Sequence, residues 1–169
     1  MSTAVLSIGS NVGDSVAHLR SVVDALGRRL QHRSSVYRTA PWGGVDQQPF
    51  LNAVLVGADP SWRPSDWLAF AQACETAAHR TREVRWGPRS LDVDVIAVYD
   101  DQAAPVVQDD ASLTLPHPRA HERAFVLAPW AEVLPDAELP QGRVADLLAD
   151  LQARDTADQR IVRLDGVAL

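Results

Sequence analysis

At 169 residues, with 46% hydrophobic and 22% charged side chains, the chain is long enough to bury one core and has ordinary globular composition. A net charge of −6 and a pI near 5.2 argue against a general nucleic-acid binder. No apolar run reaches the length of a membrane span, and the lone Cys74 excludes an internal disulfide. All sixteen basic residues are arginine, which removes the Walker A P-loop, the strand-borne kinase lysine and Schiff-base lysine chemistry. The run Met1–Leu6 lacks the charged front and apolar core of a signal peptide. One cytoplasmic domain over 1–169, monomeric and binding neither nucleic acid nor membrane, is the expectation.

In chain order, Thr3–Ile8 reads as a first strand ending at the turn cluster Gly9-Ser10-Asn11. Asp14 suits the N-cap of a helix over Ser15–Leu30, with Val16, Leu19, Val22, Val23, Leu26 and Leu30 as its apolar stripe. A second strand is expected at Arg33–Arg38, then a Gly- and Pro-containing loop to Pro49. Phe50–Val56 forms a third strand that carries the polar Asn52. The second helix starts near Pro64 and turns Trp67, Leu68, Ala71, Cys74 and Ala78 inward. Cys74 on that face reads as core.

An arginine cluster follows (Arg80, Arg82, Arg85, Arg89), and Gly87-Pro88 breaks any helix before a β-branched strand over Leu91–Tyr99. Asp92 and Asp94 fall on one face of that strand, about 7 Å apart. Two carboxylates so close are costly to bury without a positive charge between them. A pair of Mg²⁺ ions about 4 Å apart fits such a gap, since hard cations take oxygen ligands. Carboxylates for metal beside arginines for oxyanions describe a site for a metal-bound polyphosphate. By residue type alone, a single D-x-D is also an ordinary strand and a loop arginine is usually solvated.

Beyond Tyr99, Asp100–Ser112 reads as a surface connection with a short strand at Val106-Val107, and Leu113–Pro118 as extended. Arg119–Val133 is helical with an interruption at Pro129, Val144–Ala153 is a further helix, and Arg160–Leu164 a late strand. The order β-α-β-β-α-β is that of an α+β, ferredoxin-like split βαβ sandwich with a mainly antiparallel sheet and C-terminal helical additions. That fold hosts many functions and decides none.

Separated motifs then coincide: Gly9-Ser10-Asn11, Tyr37-Arg38-Thr39-x-Pro41, Phe50-Leu51-Asn52-Ala53, RWGPRSLDVD over 85–94, and LTLPHPRAHERAF over 113–125. Together they resemble the 6-hydroxymethyl-7,8-dihydropterin pyrophosphokinase family of folate biosynthesis, with the match running from about Val5 to Pro129. The resemblance implies diphosphoryl transfer from ATP to the pterin hydroxymethyl oxygen, with AMP leaving and two Mg²⁺ ions held by Asp92 and Asp94. It implies that Arg80, Arg82, Arg85, Arg89, His117 and Arg123 contact phosphates. Trp86 would close as a lid, and Gln72, Glu75, Val95 and Thr114 would line the nucleotide site. It implies a pterin pocket of Thr39, Pro41, Trp42, Phe50, Asn52 and Phe125, with Asn52 reading the ring's donor–acceptor edge and the two phenyl rings sandwiching it. Without the resemblance, His117 is a turn residue between prolines, Phe50 and Phe125 are core, and Glu75 is a helix surface charge. Ala40, His79, Ser112 and Pro118 depart from the family's usual residues, and the arginine loop is one residue short. Another two-metal transferase or nuclease, or a non-catalytic ferredoxin-like module, would share the Asp pair and the fold.

Overall fold

The computed structural model describes residues 1–39, 48–79 and 90–169. Strand β1 (Ser2–Ser10) leads into helix α1 (Ser15–Leu26). Asp14 caps α1 as expected, its Oδ1 accepting the Ala17 N–H at 3.1 Å. The helix stops at Leu26, four residues short of the expected Leu30, because Gly27 takes a φ of 54° and returns its N–H to the Val23 carbonyl. Glycine adopts that backbone without a Cβ penalty. A 3₁₀ turn over Gly27–Arg29 then feeds β2 (Leu30–Arg33).

The expected strand at Arg33–Arg38 is in fact two, β2 and β3 (Tyr37–Thr39), both paired antiparallel with β4 (Phe50–Asp59). Ser34 explains the break. Its N–H donates to the Val54 carbonyl and its Oγ accepts the Val54 N–H, each at 2.9 Å. The hydroxyl thus substitutes for a ladder partner where the backbone leaves register, and β4 continues unbroken to Asp59.

Helix α2 (Pro64–His79) precedes β5 (Asp92–Tyr99). The short strand expected at Val106-Val107 lies two residues later: β6 (Gln108–Asp109) pairs with β7 (Thr114–Leu115) around a turn closed by the Asp110 carboxylate, while Val107 is exposed. Helix α3 (Ala124–Val133) runs through Pro129 without the expected interruption. Proline inside a helix costs about 3 kcal/mol, but Val126, Leu127 and Trp130 are buried on the same helix, and each such side chain contributes about 1.5–3 kcal/mol. Packing wins. A small hairpin, β8 (Glu138–Leu139) and β9 (Gly142–Arg143), leads into α4 (Val144–Arg154), and β10 (Ile161–Arg163) closes the chain near its expected place.

The main sheet has the order β10-β3-β4-β1-β5, with β2 also on β4, and every pairing is antiparallel. One face packs on α1 and α2 through Leu6, Ile8, Leu19, Leu55, Trp67 and Val95, and Cys74 lies here as core. Burial, helped by the neighbouring Glu75 charge, lifts its thiol to about 11, so it is no nucleophile near neutral pH. The other face packs on α3 and α4 through Val5, Val54, Val56, Ile96, Leu127 and Trp130. A β-bulge makes both covers possible. The β1–β5 register slips between Val5 and Leu6, so Ile96 and Ala97 both face α3 while Val93 and Val95 face α2. No described helix is long and apolar enough to cross a membrane.

Candidate active site

Regular alternation before this bulge sets where the two carboxylates point. Ahead of it, Gly9 pairs with Asp92 and Ser7 with Asp94, which leaves Val93 and Val95 in the core and turns both acids to the α3 side. Asp92 and Asp94 are half-buried and open into a cavity of about 610 Å³, beyond the end of the apolar layer under α3. Ser7, Gly9 and Asn52 pave its floor, because they occupy the same sheet face as Val5 and Val54.

Asn52 is buried, so its amide requires partners. Its Nδ2 donates to Thr39 Oγ1 at 3.3 Å across the β3–β4 pair. On its other side lies Gly9, its register partner. A Cβ at residue 9 would sit 2.8 Å from Asn52 Oδ1, closer than real contacts allow. Glycine in the Gly9-Ser10-Asn11 cluster is therefore what lets the amide lie flat in the floor.

The facing wall comes from the start of α3. Arg123 and Phe125 both line the cavity, with the Arg123 guanidinium 5.6 Å from the Phe125 ring centroid. Phe50, the first residue of β4, lines the cavity as well. Just before α3, the Arg119 N–H donates to His117 Nδ1 at 3.2 Å, which puts the proton of a neutral imidazole on Nε2. Burial pulls the His117 pKa below its usual value, against the raising effect of Asp94 and with Arg123 and Arg119 assisting.

The outer edge of β5 is covered by the residues expected near a nucleotide. Glu75 on α2 accepts the Val93 N–H at 3.3 Å, and the His117 N–H donates to the Ile96 carbonyl at 2.8 Å. Thr114 donates to Asp109 at 3.3 Å on β7, while Val95 is buried toward α2 and Gln72 is exposed on α2. None of these positions lines the cavity, which gathers Thr39, Phe50, Asn52, Asp92, Asp94, Arg123 and Phe125. Pro41, Trp42, Arg80, Arg82, Arg85, Trp86 and Arg89 lie outside the described residues.

Six lining residues escaped sequence reasoning: Ser7, Gly9, Arg119, Glu122, Asp158 and Gln159. Gly9, Arg119 and Glu122 sit inside motifs already quoted. Ser7 is signalled only by being polar on a buried strand. Nothing local marks Asp158 and Gln159, which arrive from the C-terminal segment. The described lining carries four carboxylates (Asp92, Asp94, Glu122, Asp158) and two guanidiniums (Arg119, Arg123), a balance that favours a cation between the acids. Among the described residues no third His, Cys, Asp or Glu joins the Asp pair as a metal group. Mg²⁺ does not need one, since it keeps waters and takes phosphate oxygens beside one or two carboxylates. The donor set fits that ion.

Paired acids, cationic side chains and a polar-floored aromatic cleft on an antiparallel α+β sheet describe a transferase acting on phosphates. The family model for 7,8-dihydro-6-hydroxymethylpterin-pyrophosphokinase (HPPK) matches residues 5–135. A 2-amino-4-hydroxy-6-hydroxymethyldihydropteridine pyrophosphokinase from Mycobacterium tuberculosis is 49% identical over 171 residues, covering 96% of this chain and 91% of that protein. Enzymes of the same name from Methylorubrum extorquens (43%, covering 89% of this chain and 94% of the relative) and Bacillus subtilis (39%, 80% of each) are also similar. The chain belongs to the HPPK family and is an ATP-dependent diphosphotransferase. Among solved structures, Plasmodium falciparum HPPK-DHPS wild type with pteroate superposes with a TM-score of 0.69 at 12% identity, covering 98% of this chain and 50% of that one. An HPPK-DHPS in complex with substrates gives 0.68 at 10% identity, covering 96% and 46%. The chain thus spans about half the length of those solved chains, and at such identity they speak for the fold alone.

Proposed function

We propose that this chain transfers the pyrophosphoryl group of ATP to the hydroxymethyl oxygen of 6-hydroxymethyl-7,8-dihydropterin, releasing AMP and the pterin diphosphate, as a step of folate biosynthesis. One observation carries the reading: a single cavity is lined by the Asp pair on β5, by the buried Asn52 amide on the far side of β1, and by the rings of Phe50 and Phe125. Asn52, held by Thr39, pairs with the pterin's donor–acceptor edge, Phe50 and Phe125 cover its faces, and Pro41 and Trp42 are read as further pterin ligands. The hydroxymethyl arm then points along the floor toward Asp92 and Asp94, which would hold two Mg²⁺ ions. When bound, those ions neutralise phosphate charge and lower the hydroxyl pKa.

The remaining work is positioning, because in-line displacement on a polyphosphate has little covalent chemistry for the protein to perform. Arg123 lines the same cavity beside the Phe125 ring, and its planar fork suits a phosphate oxygen. His117, neutral with its proton on Nε2, can donate one hydrogen bond to the same group. Arg80, Arg82, Arg85 and Arg89 are read as phosphate ligands, with Trp86 as the lid that excludes water as a competing nucleophile. Gln72, Glu75, Thr114 and the backbone at Val95 are read as the nucleotide side, supported by the bond from the Val93 N–H to Glu75 and by the place of Thr114 on β7 beside β5. The same reading takes the core as a ferredoxin-like split βαβ sandwich with C-terminal additions, supported by the order β3-β4-β1-β5. It also takes the unit as a cytoplasmic monomer over 1–169.

AMP release assayed with and without the hydroxymethyl pterin tests the reaction. Release that requires the pterin is the expected result; nucleotide or nucleic-acid cleavage without it would overturn the reading. Asp94→Asn should lower turnover by about a thousandfold, the several kcal/mol of a lost metal ligand, while pterin affinity stays within about twofold. Equal loss of both would make Asp94 structural.

A further inference from the structure

Helix α3 begins without a cap of its own. Arg123 occupies the N-cap position, its side chain makes no capping bond among the described residues, and the first turn carries no acid. The Ala124 N–H is instead taken by Gln159 Oε1 at 2.9 Å, from 35 residues downstream. Ala124 is fully buried, so water cannot easily replace that acceptor. Gln159 Nε2 donates to Asp158 at 3.3 Å, which keeps the amide oxygen turned toward α3. The residues flanking Ala124, Arg123 and Phe125, both face the cavity, and so does Gln159 itself. Two residues further on, β10 pairs with β3, and Ile161 sits opposite Thr39, the partner of Asn52. One short segment therefore braces both sides of the pocket.

We propose that Gln159 is a positioning residue for the substrate: its side-chain oxygen anchors the start of α3 and so holds Phe125 against the pterin, with Arg123 beside it for the phosphates, making the C-terminal segment part of the site. The inference rests on the reading of Phe125 as a pterin-facing ring. It assigns a substrate-binding part to a stretch of chain lying past residue 135, where the family match ends.

The test compares the full-length wild type with Gln159→Leu, which removes the acceptor at similar size, and Gln159→Glu, which keeps an acceptor oxygen and loses the donor. Amide exchange at Ala124 and Phe125 is read by NMR. Dissociation constants for 6-hydroxymethyl-7,8-dihydropterin are measured with Mg²⁺ and a non-hydrolysable ATP analogue, and KM values for both substrates alongside kcat. Gln159→Leu should speed exchange at Ala124 and weaken pterin binding, each about tenfold, the effect of one buried hydrogen bond. The KM for ATP, for which Arg123 is one of several phosphate contacts, should rise less than pterin affinity falls. Gln159→Glu, which keeps an acceptor but loses the bond to Asp158 and sets a like charge beside it, should recover part of both properties. Should Gln159→Leu fail to fold, Gln159→Asn, which withdraws the oxygen by one methylene, must show the same pterin-selective loss. Unchanged pterin affinity in a folded Gln159→Leu or Gln159→Asn, a Gln159→Glu as impaired as Gln159→Leu, or equal losses for pterin and ATP would overturn the positioning role while wild-type turnover left the reaction standing. A wild type that binds no pterin would overturn the reaction, and the pterin wall with it.

Discussion

Gly9 and Asn52 face each other across β1 and β4, and a single methyl group tests whether that contact exists for ligand binding. In Gly9→Ala the new Cβ would lie 2.8 Å from Asn52 Oδ1, against about 3.3 Å for an ordinary carbon–oxygen contact. The amide must retreat by about 0.5 Å, and the Leu51 carbonyl, 3.7 Å from the same Cβ, limits where backbone could move instead. Moving the amide weakens its bond to Thr39, worth about 1 kcal/mol. Alanine in a strand recovers about 0.5–1 kcal/mol of backbone entropy relative to glycine. The two effects nearly cancel, so the denaturation midpoint should barely change. Pterin binding has no such compensation. Two hydrogen bonds from a displaced amide amount to about 2–3 kcal/mol, a loss of roughly 30- to 150-fold in affinity. Calorimetric titration of wild type and Gly9→Ala with the hydroxymethyl pterin, beside urea melts, reads both quantities. Wild-type pterin affinity in a stable Gly9→Ala would refute the role given to Asn52.

Two further outcomes concern the frame. Glu132 on α3 accepts the Ser35 N–H at 2.7 Å and the Ser35 hydroxyl, and lies 3.7 Å from Arg163 on β10. Glu132→Ala should destabilise the chain by about 1 kcal/mol, discounted for partial exposure, and loosen amide protection in β10; an unchanged urea midpoint would contradict this. Asp59, where β4 ends, is held down to about 2 mainly by the Ser61 N–H, with the Ser61 hydroxyl and Arg29 assisting. A depressed carboxylate contributes stability that is complete above its unfolded value of 3.8 and disappears as pH falls through about 2. The melting-temperature gap between wild type and Asp59→Asn should therefore be constant from pH 7 to 5 and close toward pH 2. A gap that persists unchanged at pH 2 would rule the assignment out.

The chain's own order of residues was enough for the helices, the long strands and the alternation that sends Asp92 and Asp94 one way and Val93 and Val95 the other. Those features follow from local backbone periodicity, and Asp14 before α1 acts within a few residues; the stop at Gly27 is as local, yet the apolar stripe running on to Leu30 hid it. Places where distant parts supply the missing partner were not legible locally. Ser34 splits an expected strand because Val54, twenty residues away, needs its hydroxyl. Pro129 stays helical because a sheet face covers its neighbours. The cavity itself is a tertiary fact: Gly9, Asn52, Arg123 and Gln159 meet only once β1, β4, α3 and the C-terminal segment are packed. A motif can name an amide or a carboxylate and alternation can pair two acids on one face, but what that face meets and what holds each group there are decided by contacts whose sequence separation carries no signal.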